Sequence, residues 1–166
     1  MNETIHLRRL DATEWQTFRA VRLQALADAP HAFASTLAQW SGANDTPERW
    51  QQRVASVPLN LIALRDQEAL GMCSASHLQR DTEVTVMSMW VAPAARGQGV
   101  SDLLLSVVVL FATELGARSV GLDVRASNAP ALRLYSRLGF VDVGAADEQD
   151  PSHPERRMRL TMHSTA

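Results

Sequence analysis

The sequence predicts an α/β fold, in which strands and helices share one hydrophobic core. First, short segments with strand character are interspersed with longer segments of helical periodicity. Second, the apolar run 84–91 stops at a proline, and a turn with two glycines leads into the long apolar run 103–111. Third, 166 residues with 46% hydrophobic side chains suit one domain with its own core. We therefore expect a single domain over residues 1–166.

The N-terminal half is predicted to hold two helices. Asp11 and Glu14 have the spacing of a capping box, which predicts a helix that continues to about Asp28. Residues 31–40 are compatible with either a short strand or a helical turn. Pro47 predicts the first turn of a second helix, which ends before Pro58. The strands expected in this half lie at 5–10, 59–65, 69–78 and 82–91, with a turn at 79–81.

The C-terminal half is predicted to alternate helices and strands. A helix at 101–115 is apolar nearly all round, so we expect it to be buried against a sheet. A second helix at 128–138 begins with Asn128, a residue type that caps helices, and ends at Gly139 in a left-handed conformation. The strands expected in this half lie at 120–124, 140–144 and 156–162, with a polar loop at 145–155.

Charge and cysteine content exclude several classes of partner. The net charge is −2 and all 16 basic residues are arginine, so no basic surface favours nucleic acid. The single Cys73 lies in an apolar strand pattern, which favours a buried structural thiol over a nucleophile. No signal-peptide pattern or apolar run of membrane-spanning length is present. We expect a cytoplasmic protein without a nucleic-acid or membrane partner.

The glycine turn predicts an anion site. Such a turn directs unpaired backbone N–H groups and the positive end of a helix dipole at one point, where a phosphate binds. A P-loop needs a lysine after its last glycine, whereas Val100 follows Gly99 and the chain contains no lysine. A dinucleotide fingerprint needs a third glycine where Asp102 stands. A phosphate-bearing ligand of another kind is therefore expected.

Two motifs, in order, narrow the choice of ligand. Arg96-x-x-Gly99-x-Ser101 resembles the R/Q-x-x-G-x-G/A signature of the GNAT acyltransferases, with serine in the small last position. The segment 128–140 is similar to the N-x-x-A-x-x-L-Y-x-x-x-G-F pattern of the same family. The resemblance is specific over 84–143. It implies the GNAT fold, a single mixed β-sheet that is splayed between strands 4 and 5 and flanked by helices.

The resemblance also implies acetyl-CoA as the cosubstrate, with no metal. The main chains of Met89 and Val91 match positions that pair with the pantetheine arm and support the acyl carbonyl. Asn128 matches a residue that contacts the CoA arm. The positions that match the family's pyrophosphate cradle are Arg96, Gly97, Gln98, Gly99, Val100 and Ser101. For Arg96, a solvated arginine on a turn is the open alternative.

The second motif supplies a candidate general acid but no general base. Tyr135 matches the family's general acid. The pKa of a phenol lies above that of a thiol, so the phenol stays protonated and can donate its proton to the thiolate leaving group. Glu83 is the first candidate for the general base, because it shares a strand face with the position at which many relatives carry a glutamate. The alternatives are Asp123, His77, His31 or solvent water.

These inferences predict an N-acetyltransferase that moves an acetyl group from acetyl-CoA to the primary amine of a small molecule. No serine or cysteine has a nucleophile context, which favours direct attack over a covalent intermediate. A protein acetyltransferase that acts on N-terminal or lysine amines is one alternative. A non-catalytic acyl-CoA-binding sensor is the other. Relatives often dimerise, so a homodimer is compatible with the resemblance, although nothing in the sequence marks an interface.

Overall fold

A computed structural model describes residues 4–79, 81–147 and 150–163. The strands within these residues are β1 (His6–Arg9), β2 (Leu59–Arg65), β3 (Glu68–Ala75), β4 (Glu83–Val91), β5 (Ser119–Arg125), β6 (Val141–Ala145) and β7 (Glu155–Thr161). The α-helices are α1 (Trp15–Asp28), α2 (Pro47–Ser56), α3 (Val100–Glu114) and α4 (Ala129–Arg137). Short 3₁₀ helices lie at Ala12–Glu14, Ala38–Trp40, Gly42–Asn44 and Pro93–Ala95.

The strands form one seven-stranded mixed sheet in the order β1-β2-β3-β4-β5-β7-β6. Neighbouring strands are antiparallel except for β4 and β5, which are parallel. That parallel pairing covers only Glu83–Thr85 of β4 and Ser119–Gly121 of β5. Beyond these three pairs the two strands diverge, which confirms the α/β class and the predicted splay between strands 4 and 5.

Most helix and strand boundaries that were predicted from local sequence signals lie within a few residues of the observed ones. The predicted capping box forms, since Asp11 accepts from the Thr13 N–H and Glu14 accepts from the Asp11 N–H. The ambiguous segment 31–40 contains turns and one 3₁₀ helix but no strand. The strand predicted at 69–78 ends earlier, at Ala75. Part of the predicted turn 79–81 and part of the predicted loop 145–155 lie outside the described residues.

Helix α3 packs against the sheet as expected, and the sheet buries only one of its faces. Its buried face carries Val100, Leu104 and Val108 and packs on β2, β3 and β4. On the other side, Leu110 is 59% exposed. The helix is apolar all round, but the sheet can cover only one of its faces. None of the described helices combines the length and hydrophobicity that a bilayer crossing requires.

A buried ion-pair cluster holds the two halves of the sheet together at the short β4–β5 contact. Glu83 is only 5% exposed. Its carboxylate accepts hydrogen bonds from Arg157, from Arg159 Nε at 2.6 Å and from Ser119 Oγ at 2.8 Å. A Cβ at Gly121 would collide with the side-chain ends of Glu83 and Arg157, so any other residue there would displace this cluster. The cluster therefore joins β4, β5 and β7.

The protonation state of Glu83 follows from these contacts. Burial favours the neutral acid, but the hydrogen bonds from Arg157, Arg159 and Ser119 outweigh burial and hold the pKa of Glu83 below its usual value. The carboxylate therefore stabilises the fold at neutral pH, and this stabilisation is lost as the pH falls through the folded-state pKa.

We expect Glu83→Gln to lower the free energy of unfolding at neutral pH by about 2–3 kcal/mol, because it leaves two arginines without their carboxylate. The difference from the wild type should shrink in acid, where the wild-type carboxyl also becomes neutral. Urea unfolding followed by circular dichroism at neutral and acidic pH measures both effects.

The matched control for this prediction is Glu68→Gln, which neutralises an exposed carboxylate at the start of β3. It should change the free energy of unfolding by no more than about 0.5 kcal/mol. Equal stability of the Glu83→Gln variant and the wild type would contradict a structural role for the cluster.

Candidate functional site

Two cavities meet where β4 and β5 diverge. The inner cavity, of about 470 Å³, lies between α1, α2 and the diverging strands. The loop cavity, of about 1000 Å³, lies between the glycine turn, the chain after α1, and α4. The residues that line both cavities are Ala32, Phe33, Met89, Asn128, Ala131 and Tyr135. The splay of the sheet thus creates two compartments with a common wall.

The glycine turn forms an open helix N-terminus in the loop cavity. Gly97 and Gly99 have φ values of 77° and 80°, in the left-handed region that favours glycine. Gly99 is the N-cap of α3, and among the described residues no side chain caps that helix. Val100 and Ser101, whose N–H groups belong to its first turn, line the cavity. Free N–H donors and the helix dipole make this end of the cavity suitable for binding an anion.

The side chains of Arg96 and Gln98 are engaged with protein atoms. Arg96 lines the loop cavity, donates to the Val91 carbonyl at 3.2 Å and pairs with Asp28 at 3.0 Å. Gln98 donates to the Ala94 carbonyl at 2.8 Å, and its side chain does not line the cavity. The Arg96 side chain is thus 57% exposed but paired with Asp28, and Gln98 lines neither cavity.

Strand β4 carries an irregularity beside the shared wall. Met87 pairs with Ser74 and Trp90 pairs with Met72, so the β4 segment between these pairs is one residue longer than its β3 counterpart. Ser88, within this bulge, has a φ of 54°. Since pairing with β5 ends before this point, one edge of β4 has no strand partner among the described residues. Met89 lines both cavities, while Val91 lines the loop cavity.

Helix α4 brings two of the predicted residues to the shared wall. Asn128 caps the helix as predicted, accepting from the Ala131 N–H at 3.3 Å. Tyr135, 7% exposed, packs edge-on against Phe140 with ring centroids 5.7 Å apart. Burial, together with the nearby Cys73, raises the pKa of the Tyr135 phenol well above its usual value. The phenol therefore remains protonated across the physiological range.

The structure does not support Glu83 as the general base. Its carboxylate is held by Arg157, Arg159 and Ser119 and lines neither cavity. A low pKa and fully engaged oxygens make it a poor proton acceptor. The sheet pairing explains this, because Glu83 lies at the closed end of the β4–β5 contact and not in the opening.

The other candidate bases are dispersed. His77 is exposed and lines neither cavity, whereas His31 lies at the loop cavity. Asp123 does line the inner cavity, and it accepts a hydrogen bond from Arg157 Nη1 at 3.2 Å. Of these three residues, only Asp123 lines the inner cavity.

Glu155 is a second carboxylate of the inner cavity, and no sequence motif predicted it. It is the first residue of β7, and its Oε1 lies 3.8 Å from Arg125 Nε. Burial raises the pKa of Glu155, and the nearby Asp123 raises it further against the opposing effect of Arg125. Glu155 is the last residue of the predicted polar loop 145–155, and only the pairing of β7 with β5 brings it to the cavity.

A second missed feature is the ion pair between Arg137 and Asp102 at the loop cavity. Arg137 Nη2 lies 2.8 Å from Asp102 Oδ1, and both residues line the cavity. This pair connects α4 to the first turn of α3. It also places a guanidinium near the open helix N-terminus.

These residues fit a phosphate-bearing thioester. The uncapped α3 N-terminus and its two left-handed glycines form the anion site, and the loop cavity continues to Tyr135. Among the described residues, no group of three His, Cys, Asp or Glu side chains is placed to bind a metal ion.

Comparison with known proteins agrees with this geometry. The Acetyltransferase (GNAT) family matches residues 16–140. The mycothiol acetyltransferase of Brachybacterium faecium is 34% identical over 84% of this chain, which spans 40% of that relative's length. A putative ribosomal protein bS18-alanine N-acetyltransferase of Bacillus subtilis is 28% identical over 78% of this chain and 85% of that protein.

Solved structures share the fold. The PaiA N-acetyltransferase from Thermoplasma acidophilum, crystallised in complex with coenzyme A, superposes with a TM-score of 0.71 at 14% sequence identity. The superposition covers 95% of this chain and 99% of that chain. The family match covers most of the chain and includes both motifs, the splayed strands and the uncapped helix N-terminus. This chain belongs to the GNAT family of acetyltransferases.

Proposed function

We propose that this protein transfers an acetyl group from acetyl-CoA to the primary amine of a small molecule. The observation that carries the proposal is the meeting of two cavities at Tyr135, one with an anion site and the other with a carboxylate of raised pKa. Such an arrangement allows a phosphate-bearing donor and an amine acceptor to approach from opposite sides. The family match supports the same reaction class.

The loop cavity is the proposed donor site. Bound acetyl-CoA would supply an acetyl group activated as a thioester. The backbone of Gly97–Ser101 would hold its pyrophosphate, with Arg137 as an added positive charge. The unpaired edge of β4 at Met89 and Val91 would bind the pantetheine arm and orient the acyl carbonyl through backbone N–H groups, and Asn128 would contact the arm near Tyr135.

Two side chains move protons in this proposal. Glu155 accepts a proton from the acceptor ammonium, which leaves a neutral amine able to attack. As the amide C–N bond forms and the thioester C–S bond breaks, Tyr135 gives its phenolic proton to the departing thiolate. The resulting phenolate takes up the second proton, which the attacking nitrogen loses, and Tyr135 returns to its starting state. Burial raises the pKa of Cys73 to about 12, so this thiol is not a competent nucleophile and direct attack by the amine is favoured.

A small acceptor suits the inner cavity, whose volume of about 470 Å³ lies in the range of small-molecule sites. The second candidate acceptor is the N-terminus of a protein. It is favoured by the similarity to a putative bS18-alanine acetyltransferase, of which the chain covers 85%. An acceptor panel that contains both small amines and peptide N-termini distinguishes the two, because only turnover of peptides supports the second.

Substitution of the helix N-cap tests the donor site. Gly99→Asp should weaken acetyl-CoA binding by at least ~100-fold, because it places a carboxylate beside the site of the pyrophosphate. Gly42→Asp is the matched control, since Gly42 also has a positive φ, of 61°, and lines neither cavity. Isothermal titration calorimetry with acetyl-CoA measures both. Unchanged affinity in the Gly99 variant would show that the anion site lies elsewhere.

Removal of one hydroxyl tests the proposed acid. Tyr135→Phe keeps the ring that packs on Phe140, and it should lower kcat by about 100-fold or more while leaving the acetyl-CoA Kd unchanged. Release of free thiol during turnover measures the rate, and calorimetry measures the affinity. A normal kcat in this variant would exclude proton donation by Tyr135, and no thiol release with any amine by the wild type would favour the sensor alternative.

Neutralisation of the cavity carboxylates tests the proposed base. Glu155→Gln should lower kcat/KM by about 100-fold and remove the rise in rate that accompanies deprotonation of Glu155. Because the pKa of Glu155 is raised, this rise in the wild type should lie above the usual range for a glutamate. Asp123→Asn is the comparison variant, with an expected loss below ~10-fold. A larger loss for Asp123→Asn than for Glu155→Gln would assign the base to Asp123.

A further inference from the structure

One wall of the inner cavity carries two arginines, one buried and one partly buried, that lack a carboxylate partner among the described residues. Arg22 of α1 and Arg53 of α2 both line the cavity. Neither forms an ion pair with any described residue. By contrast, other arginines take part in most of the ion pairs of the structure. A buried charge is costly unless it is paired, so such residues indicate a missing anion.

Arg22 has fewer hydrogen-bond partners than Arg53. Its residue exposure is 7%, and its Nη1 has no hydrogen-bond partner in the described part of the chain. The guanidinium packs over the Phe33 ring with 4.5 Å between Cζ and the ring centroid. Burial, with a contribution from Arg53, lowers the pKa of Arg22 to about 10, so the group is still charged at neutral pH. Its planar fork is available for a bidentate partner.

Arg53 is held in place by neutral groups. It donates to Asn60 Oδ1 at 3.1 Å, to Ser74 Oγ at 3.4 Å and to Ser88 Oγ at 3.3 Å. These contacts use its donors without compensating its charge. They also tie Arg53 to the bulge of β4. Arg53 therefore adds positive potential to the cavity, while Arg22 offers the free hydrogen-bond donors.

The opposite wall of the inner cavity carries acidic side chains. Asp123 of β5 and Glu155 of β7 line the cavity there. Together with the two arginines and Tyr135 they are its titratable side chains among the described residues. A cationic wall on the helices thus faces an acidic wall on the strands. This distribution is complementary to a ligand that carries an ammonium group at one end and an anion at the other.

We infer that the acceptor is a carboxylate-bearing amine, such as a free amino acid, whose carboxylate binds Arg22 while its amine faces Glu155. This inference rests on the proposed function. One unpaired guanidinium fork matches one carboxylate, which is why the anion is assigned as a carboxylate. A peptide N-terminus has an amide in place of that carboxylate and fits less well. The inference therefore also separates small acceptors from protein acceptors.

The test is a thiol-release assay on matched sets of amines. Each set contains an amino acid, its carboxamide and the corresponding decarboxylated amine, and β-alanine, γ-aminobutyrate and phosphoethanolamine vary the spacing and the anion. We expect the carboxylate-bearing member to have a kcat/KM about 100-fold higher, because a buried cation rejects ligands that leave it unpaired. A preference for the neutral members, or for phosphoethanolamine, would overturn the inference while leaving the transferase function intact.

Arg22→Met tests the residue. It should reduce kcat/KM for the carboxylate-bearing acceptor by about 100-fold and bring its ratio to the carboxamide close to one, with acetyl-CoA affinity unchanged. Its Tm should not fall, because the variant removes an unpaired buried charge. Arg118→Met, at an exposed arginine that lines neither cavity, should keep the wild-type ratio. An equal loss for all amines in the Arg22 variant would mark a purely structural role.

The two hypotheses fail in different ways. If acetyl-CoA binds but no amine in the panel accelerates thiol release, the transferase proposal and the inference that rests on it both fail. If amines are acetylated without regard to a carboxylate, only the inference fails. Thermal shift with each amino acid and CoA gives a second readout, and we expect stabilisation of the wild type but not of Arg22→Met.

Discussion

The short parallel contact between β4 and β5 is the constraint on which the rest of the molecule depends. Three residue pairs join the two halves of the sheet, and the Glu83 cluster with Arg157, Arg159 and Ser119 holds them at one end. Because this end is closed, the divergence of the strands opens a gap only on the other side. Both cavities, and the wall that they share, follow from this geometry.

Burial and neighbouring charges together set the pKa of the titratable side chains around this opening. The Tyr135 phenol remains protonated because its surroundings disfavour the charged form, and the same effect raises the pKa of Glu155. Glu83 is also buried, yet it is ionised because arginines surround it. The difference between a structural carboxylate and a candidate base therefore lies in their partners and not in residue type or depth.

The arginines show the same distinction. Arg157 and Arg159 are paired and connect strands, whereas Arg22 is buried in a cavity wall and has no ionic partner in the part of the chain that the structure describes. Unsatisfied groups of this kind are rare in folded proteins, and they concentrate where a ligand completes them. The inner cavity thus combines an acidic wall beside the candidate acid Tyr135 with a cationic wall on the helices.

The sequence by itself determined the elements, the glycine turn and the position of Tyr135, because capping residues, left-handed glycines and periodicity act over a few neighbours. Two local motifs also resemble those of the GNAT family, and that resemblance implied the splayed sheet. The roles of Glu83, Glu155 and Arg22 were decided only by the tertiary structure. Glu83 meets arginines more than seventy residues away, and Glu155 reaches the cavity only because β7 pairs with β5. Whether a charge is paired depends on such long-range contacts, which no local pattern records.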